Sequence, residues 1–395
     1  MNLYRETFSH IKSFPTVFWI VISATLINQI GNMAFVFLVV YTTQHLGWTL
    51  MQGSLAFALF SVSMLVSGLV AGSLIDYIGA ARMMSGAVFA NGLTLLIFPL
   101  IHQYDMLLAM CLIWGFFYGA YRPASQTLVS HLSRPGLHKI TFSVYRLVLN
   151  LGMSIGPAIG GYLAVHSFPA IFIVNGISNI LAGIILFVGL GSTWMHYRAA
   201  EDHKKIISIK WLKYDPALRL FVIAMIPVSM VFFQHESTLP VFLKQDLHLP
   251  LSFYGWLFTI NTLMIVFFEL ILNVATLNWS YRVNFILGTF FIALGFFGMA
   301  FATTGAHIIF LTILWTIGEM ILYPASSSYI ADIAPAERRG SYMGIYSTCS
   351  NLGMLLGPAS GAVVMQYFGG DALWIACGIW GCISIITFNF IKQPS

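Results

Sequence analysis

The chain alternates between long apolar runs and short polar connections along most of its length. Each apolar run is close to the roughly 20 residues that an α-helix needs to cross the hydrocarbon core of a bilayer. Twelve such helices are expected, at residues 17–41, 52–75, 80–101, 106–129, 140–165, 168–192, 217–243, 252–276, 284–304, 306–330, 340–367 and 371–391. The pattern predicts an all-α integral membrane protein that crosses the bilayer twelve times.

Part of the first half of the chain recurs in the second half at a fixed distance of 201 residues, without any gap. The identical positions are Trp114, Pro123, Ala124, Ser125, Tyr145, Asn150, Leu151, Gly152, Met153, Gly156, Pro157, Ala158 and Gly160, which match Trp315, Pro324, Ala325, Ser326, Tyr346, Asn351, Leu352, Gly353, Met354, Gly357, Pro358, Ala359 and Gly361. Such a duplication in so apolar a chain is typical of transporters built from two parallel repeats. It predicts two six-helix bundles, residues 1–192 and 217–395, which are joined by a linker at 193–216, related by a pseudo-twofold axis along the membrane normal and separated by a cavity.

Composition and charge distribution support this class and orient the chain. Hydrophobic residues make up 58% of the sequence and charged residues only 8%, whereas soluble domains have about 25% charged residues. Basic residues lie in the even-numbered connections and in both tails, and the odd-numbered connections hold only Lys244. By the positive-inside rule, we expect both termini and the linker in the cytoplasm. Topology thus explains the net charge of +5, and no nucleic-acid partner is expected.

No sequence pattern indicates a catalytic or metal centre. All four cysteines lie in apolar runs and have neither metal-ligand nor disulfide spacing. The chain lacks a H-E-x-x-H motif, a phosphate-binding loop, the Ser/His/Asp order of a hydrolase triad and an extramembrane domain. We therefore expect no metal, no cofactor and no enzymatic activity.

Glycines recur at every fourth position of the predicted fifth and eleventh helices, and each series falls on one helix face. The residues are Gly152, Gly156 and Gly160, then Gly353, Gly357 and Gly361, with Pro157 and Pro358 beside them. Smooth faces of this kind let two helices approach closely and slide, and a proline bends the helix. They predict tight packing and hinging without direct substrate contact.

Two segments resemble motifs of the major facilitator superfamily and, within it, of the twelve-helix drug/proton antiporters. The end of the second helix, GSLIDYIGAAR, is similar to the pattern G-x-L-x-D-x-x-G-R-[KR]-[RK] at Gly72, Leu74, Asp76, Gly79 and Arg82. Alanines replace two of its basic positions. The fifth helix, NLGMSIGPAIGG, is similar to the antiporter pattern G-x-x-x-G-P-x-x-G-G at Gly152, Gly156, Pro157, Gly160 and Gly161. The resemblance implies the major facilitator fold and an exporter, and it implies gate or hinge roles for these residues and for Asn150.

Charged side chains inside the apolar runs are the strongest functional signal. A charge at the bilayer centre costs about 2.5–3.5 kcal/mol even on the gentlest scale, and is retained mainly in ion pathways and proton relays. The candidates are Arg122, Arg146, Glu236, Glu269 and Glu319.

Glu319 is the leading candidate for proton coupling. It lies near the middle of the tenth helix, where the first copy has Tyr118, and shares a polar face with Tyr323 and Ser326 that we expect at the cavity. A carboxyl group removed from water favours its neutral form and releases its proton when water enters. The surrounding GEMILYP and RRGSYMG also resemble the MdtH- and LmrP-like multidrug exporters, which implies that the helix-ten glutamate takes part in proton coupling.

The other two glutamates are further candidates for proton coupling. Glu236 lies in the seventh helix close to Gln234 and Pro240, and the proline predicts a bent helix such as a gate requires. We expect Glu236 and Gln234 to take part in substrate or proton handling. Glu269 in the eighth helix is expected to be either a second proton site or the structural partner of a cation.

The intramembrane arginines and the asparagines of the first helix each have more than one interpretation. Arg122 and Arg146 either bind an anionic group, or pair with a carboxylate that releases the arginine on protonation, or they close the inner gate. We expect Arg122 at the cavity, and Arg146 as the first-choice partner of Asp76, which would pair with a cation or a helix end. Asn28 and Asn32 share a helix face and are either substrate contacts or interhelical hydrogen-bonding groups.

Together these features predict a secondary active transporter, with proton-coupled efflux of amphiphilic, drug-like small molecules by alternating access as the expected function. The alternative is an exporter or flippase for a specific metabolite, siderophore or lysophospholipid, with or without proton coupling. The expected partners are a small-molecule substrate, protons and the lipid bilayer. We expect a multi-pass monomer in the bacterial inner membrane.

Overall fold

The computed structural model describes residues 11–12, 14–134, 136–191 and 211–391, which form an all-helical structure. The long helices of the first half are α1 Thr16–His45, α2 Leu50–Ile78, α3 Ala80–Ile97, α4 Tyr104–Leu132, α5 His138–His166 and α6 Phe168–Leu190. Those of the second half are α7 Pro216–Gln245, α8 in three segments Leu251–Met264, Ile265–Glu269 and Leu270–Ala275, α9 Tyr281–Gly298, α10 Gly305–Ile333, α11 Arg339–Phe368 and α12 Gly370–Phe388. They coincide with the predicted apolar runs to within a few residues, except that α9 ends at Gly298, six residues before its predicted end.

Local sequence determines several of these helix ends. At the start of α2, Thr49 and Gln52 form a capping box, in which each side chain hydrogen-bonds the backbone of the other residue. At the start of α7, the Asp215 carboxylate accepts two backbone N–H groups. Gly79 connects α2 directly to α3 with φ +93°, a conformation that residues with a Cβ atom rarely adopt.

The helices of the two halves follow the 201-residue offset of the sequence repeat. α4 and α10 begin at Tyr104 and Gly305 and end at Leu132 and Ile333, so both bounds are 201 residues apart. The packing is also repeated: α1 contacts α5 and α6 as α7 contacts α11 and α12, and α3 contacts α4 and α6 as α9 contacts α10 and α12. The duplication therefore extends from sequence to packing.

The two halves meet at one face of the protein, which contains the α2–α3, α4–α5 and α10–α11 connections. There α2 packs on α11, and α5 packs on α8 and α10. Residues 138–145 of α5 and 340–351 of α11 are buried, whereas in later turns of both helices the buried side is mainly the glycine face. We call the joined end the closed face, and the space between the halves beyond it the central cleft.

Among the described residues, eleven helices are long and apolar enough to cross a membrane. α11 is equally long but more polar, and its side chains Ser347, Ser350 and Asn351 are buried against neighbouring helices. A helix enclosed by protein does not need an apolar surface, and Ser347 hydrogen-bonds across helices to Gln126 of α4. The chain is therefore an integral multi-pass membrane protein. Twelve crossings and cytoplasmic termini remain predictions, and most of the predicted linker lies outside the described residues.

Candidate functional site

Three charged side chains from both halves meet where the central cleft ends against the closed face. Arg146 of α5 donates from Nε to Glu269 Oε1 of α8 at 3.1 Å, and from Nη2 to Glu319 Oε1 of α10 at 3.0 Å. The exposed fractions of the three side chains are only 14%, 1% and 7%. One guanidinium thus holds two carboxylates of the opposite half. We call this cluster the Arg146–Glu269–Glu319 triad.

Glu269 is positioned by an irregular turn of α8. It is the last residue of the π-helical segment Ile265–Glu269, and wide turns of this kind occur frequently at functional sites. The Asn273 amide stabilises the turn, since its Nδ2 donates to the Glu269 carbonyl at 2.8 Å and to the Met320 carbonyl of α10 at 3.0 Å. The apolar run around Glu269 contained no signal for this turn.

The two carboxylates differ in their hydrogen bonds. The second oxygen of Glu319, Oε2, accepts from Nδ2 of Asn261 at 2.8 Å, so both of its oxygens have a donor. The second oxygen of Glu269 is buried and has no donor among the described residues. An ionised carboxylate needs donors on both oxygens when it is buried. The geometry therefore suits a charged Glu319 better than a charged Glu269.

Tyr323 completes one wall of the triad, because the guanidinium carbon of Arg146 lies 5.0 Å from the centre of its ring. This is within the range of a cation–π interaction. Ser326, which we expected on the same cavity face, is fully buried and hydrogen-bonds the Leu322 carbonyl and the Met225 sulfur. In this conformation Ser326 therefore contacts α7, and its place at the substrate cavity stays a prediction.

The central cleft also carries exposed charges of both signs. Arg122 of α4 is exposed, and Glu236 of α7 is 44% exposed with His235 Nε2 at 3.7 Å. The hydroxyl of Tyr118 in α4 accepts a hydrogen bond from Nδ2 of Asn32 at 3.0 Å. Exposed charges halfway along two apolar helices indicate that water enters the cleft.

Two other cavity candidates bind neighbouring helices instead. Nδ2 of Asn28 donates to Oδ1 of Asn179 in α6 at 2.7 Å, and this favours the interhelical interpretation of Asn28. Gln234 is fully buried, and its Nε2 donates to the Gly357 carbonyl of α11 at 2.7 Å while its Oε1 accepts from Thr238. Gln234 thus bonds α11 and its own helix in this conformation, and its contact with substrate stays a prediction.

Asp76 of α2 binds the start of α11 and so joins the two halves at one side of the closed face. Its Oδ2 accepts from the backbone N–H of Ser341 at 3.1 Å and from the Ser341 hydroxyl, in the first turn of α11. A carboxylate there is favoured by the positive end of the helix dipole. Arg146, which we expected first as the partner of Asp76, does not bind it here, because the two glutamates hold Arg146. The alternative partner, a helix end, is the one observed.

Lys139 makes the corresponding contact on the other side, between α5 and α8. Its Nζ donates to the Thr276 carbonyl at 3.0 Å, to the Thr276 hydroxyl at 2.5 Å and to Asn284 Oδ1 at 2.8 Å. Thr276 caps the C-terminal end of α8, where a cation is favoured. In sequence, Lys139 was only one of the basic residues that orient the chain. Its position next to a helix end depends on tertiary packing.

Further hydrogen bonds join the halves at this face. His138 Nδ1 lies 2.6 Å from Asp332 Oδ1, and Ser347 donates to Gln126 at 3.1 Å. Gly344 of α11 packs against α2, since a Cβ atom there would be 2.4 Å from the Gly68 carbonyl and 2.9 Å from the Gly72 Cα atom. The closed face is thus held by both polar contacts and direct backbone packing.

The glycine faces of α5 and α11 lie against α1 and α7. A Cβ atom at Gly152 would be 2.3 Å from Gln29 of α1, and one at Gly353 would be 2.3 Å from Ser229 of α7. Gly156 and Gly357 face backbone carbonyls, whereas Gly161 faces open space. The close approach predicted for these faces is present, and hinging stays a prediction.

The remaining motif residues are not part of the triad. The prolines lie inside the continuous helices α5 and α11, at Pro157 and Pro358. Asn150 donates to the Arg146 carbonyl within α5 at 3.0 Å. Arg82 lines a groove between α3 and α6. Among the described residues, no group of three or more His, Cys, Asp or Glu side chains is placed to hold a metal ion.

Comparison with known proteins identifies the family. The Major Facilitator Superfamily model matches residues 21–251 and 235–395. The chain is 25% identical to a Na(+), Li(+), K(+)/H(+) antiporter of Planococcus maritimus, over 89% of this chain and 90% of that protein. It is 22% identical to the multidrug resistance protein MdtH of Escherichia coli, over 88% and 86%. The crystal structure of a bacterial homologue of the iron transporter ferroportin in an outward-facing state has the same fold, with a TM-score of 0.80, 14% identity and coverage of 94% and 98%.

Proposed function

The chain belongs to the Major Facilitator Superfamily, and from this premise we propose that it is a proton-coupled exporter of amphiphilic, drug-like small molecules that works by alternating access. The observation that carries the proposal is the Arg146–Glu269–Glu319 triad, in which two carboxylates share one buried guanidinium. Buried ionisable groups in a membrane bundle are retained chiefly for ion and proton pathways.

The first step is the proton count of the triad. If both glutamates were ionised, the cluster would have a net charge of −1, with the second Glu269 oxygen buried and lacking a donor. A single proton on that oxygen makes the triad neutral, and an uncompensated buried charge is strongly unfavourable. Because a neutral group without a partner costs less to bury than a charged one, this favours Glu269 as the protonated member in this conformation. Glu319 as the principal proton carrier stays a prediction, and we propose that the pair shares one exchangeable proton.

The second step links that proton to substrate. When the proton leaves, the triad gains a negative charge at the bottom of the central cleft, which attracts a cationic or amphiphilic molecule. When a proton returns, this attraction is lost and the substrate leaves. Competition of the two cations for one charge gives exchange without any long-range pathway. Nearby ring faces and the mixed charges of Arg122 and Glu236 suit ligands with apolar bodies and polar groups.

The third step is alternating access. The Asp76 and Lys139 contacts hold one end of the two halves together while the central cleft is open beyond the triad. If the basic connections lie in the cytoplasm, this conformation is outward-open. A solved structure of the same fold in an outward-facing state supports this assignment. Arg146 would then release its carboxylates when the halves rock, since it is the one member of the triad in the first half.

Relatives support both the coupling and the substrate class. One is named as a cation/proton antiporter and another as a multidrug resistance protein. The bacterial inner membrane as the location and a monomeric state are part of the same proposal. The alternative, a metabolite, siderophore or lysophospholipid exporter, differs in substrate and requires the same test.

Transport into inverted vesicles tests the proposal. An acid interior should drive uptake of cationic dyes by the wild-type protein, and Glu319→Gln should abolish this uptake. Asp105→Asn, outside the cluster near the start of α4, is the matched carboxylate control and should transport normally. Alkali cations, lysophospholipids and siderophores belong in the same panel. Uptake that ignores the pH gradient for every compound would refute proton coupling.

A further inference from the structure

An open groove faces the membrane between α3 and α6. It has a volume of about 430 Å³ and is lined chiefly by Arg82, Gly86, Phe89, Gly183, Ile184 and Phe187. We call it the α3–α6 groove. Phe89, Ile184 and Phe187 are 41%, 47% and 66% exposed, so its walls form part of the apolar outer surface. It is separate from the triad and from the central cleft.

Two glycines make this groove deep. A Cβ atom added at Gly86 would meet nothing within 4 Å, so the floor there is open. Gly183 lies directly against Phe89 and lets the two helices approach without filling the space above them. A hollow in a surface that faces hydrocarbon loses dispersion contacts if it is empty. Lipid acyl chains are flexible and apolar, so an acyl chain from the surrounding bilayer can fill such a hollow.

Arg82 stands at one end of the groove. It is the third residue of α3, at the closed face, and is exposed. No hydrogen bond or ion pair within the described ranges engages its guanidinium. From Arg82 to Phe89 the groove follows α3 for roughly 10 Å, at 1.5 Å per residue. The charged end of the α3–α6 groove, at Arg82, is therefore at the membrane surface, and the apolar part of the groove extends toward the bilayer centre.

The second half of the chain offers an internal comparison. At the repeat distance of 201 residues, Arg82 becomes Val283 and Gly86 becomes Leu287. Phe187 becomes Phe388, which is fully buried rather than exposed. Since α9 and α12 pack as α3 and α6 do, the duplicated surface has a leucine at the floor position, and its nearest arginine, Arg282, donates to the Ile391 carbonyl. The groove is thus a specific feature of the first half and not a consequence of the fold.

We propose that the α3–α6 groove binds one anionic phospholipid of the leaflet at the closed face, with its phosphate on Arg82 and an acyl chain along Gly86 and Phe89. A guanidinium matches phosphate oxygens in both charge and geometry. An anionic headgroup has no cation of its own to compete for the phosphate. The site does not depend on the transported substrate.

Native mass spectrometry of the detergent-solubilised full-length protein tests this site. The probes are dioleoyl-phosphatidylglycerol and dioleoyl-phosphatidylcholine. We expect one phosphatidylglycerol to be retained more tightly than phosphatidylcholine. Arg82→Val should weaken phosphatidylglycerol binding about fivefold, to the level of phosphatidylcholine, which corresponds to ~1 kcal/mol. Arg82→Lys should retain most of the preference, because the charge remains.

Gly86→Leu introduces the residue of the second half and should remove binding of both lipids, since the side chain fills the groove. Ile184→Trp fills it from α6 and serves if the first variant does not fold. Arg219→Val is the matched control, because Arg219 is also an exposed arginine near the start of a long helix. Equal binding of the two lipids, an equal loss in Arg219→Val, or retention of lipid by both groove-filling variants would overturn the proposal.

Discussion

Lys139→Met should shift the protein from the conformation described here toward one in which the two halves have separated at the closed face. Methionine has a similar length and remains apolar, so it keeps the packing but removes the donor. The Thr276 carbonyl and Asn284 Oδ1 would then lose a charged hydrogen-bond partner while the halves remain joined. In the separated state these groups and the lysine are hydrated, so the substitution costs little there.

The size of this shift follows from the contacts. A hydrogen bond to a charged group contributes about 1.5–3 kcal/mol, and Lys139 makes three, but its burial offsets part of the sum. If the joined conformation alone loses ~2 kcal/mol of stability, the ratio of the joined to the separated conformation changes about 30-fold. An effect of this size is measurable as a change in populations.

Electron–electron distance measurements across the closed face are a suitable assay. Spin labels at Arg134 and Glu337, in the α4–α5 and α10–α11 connections, report the separation of the halves after the four native cysteines are replaced. Lys139→Met should add a population at longer distance, and Lys139→Arg should stay closer to the wild type. Arg219→Met, which removes an exposed arginine, is the control. An unchanged distance distribution in Lys139→Met would refute the account of this contact.

Two further predictions concern the same face and the helix contacts. Asp76→Asn should shift cysteine accessibility at the closed face toward the pattern of a conformation that is open there, because a neutral amide loses the charge-assisted bond to the first turn of α11; unchanged accessibility would count against this. Gly156→Leu or Gly357→Leu should stall transport in a folded protein, because the side chain would collide with α1 or α7. Gly161→Leu, at a glycine that faces open space, is the matched control, and equal transport by all three would show that the smooth faces are incidental.

Helix positions and the internal duplication were predictable from sequence because each depends on patterns along the chain. A run of apolar residues close to the bilayer thickness determines a membrane helix, and the 201-residue offset appears again in the bounds of α4 and α10. Glycines at every fourth residue similarly predicted which faces of α5 and α11 approach a neighbour. These features require no knowledge of how the halves dock.

The candidate site was predictable only in part, because it lies between the halves. The sequence identified Arg146, Glu269 and Glu319 as intramembrane charges, and Glu269 as a possible partner of a cation, but not that they form one cluster. Asp76 and Arg146 appeared to be partners because both were expected near the inner gate. The role of Lys139 depends on the end of α8, which lies 137 residues away in sequence.

Proton release on substrate addition tests the central claim, that the carboxylate pair of the triad carries the coupling proton. Purified protein in weakly buffered detergent solution is mixed with a cationic dye that it transports, and the pH change is recorded. The account predicts proton release by the wild type and none by the Glu269→Gln, Glu319→Gln double variant, since no carboxyl proton remains in the triad to exchange. Release by the double variant equal to that of the wild type would contradict the account and make Glu236 the next candidate.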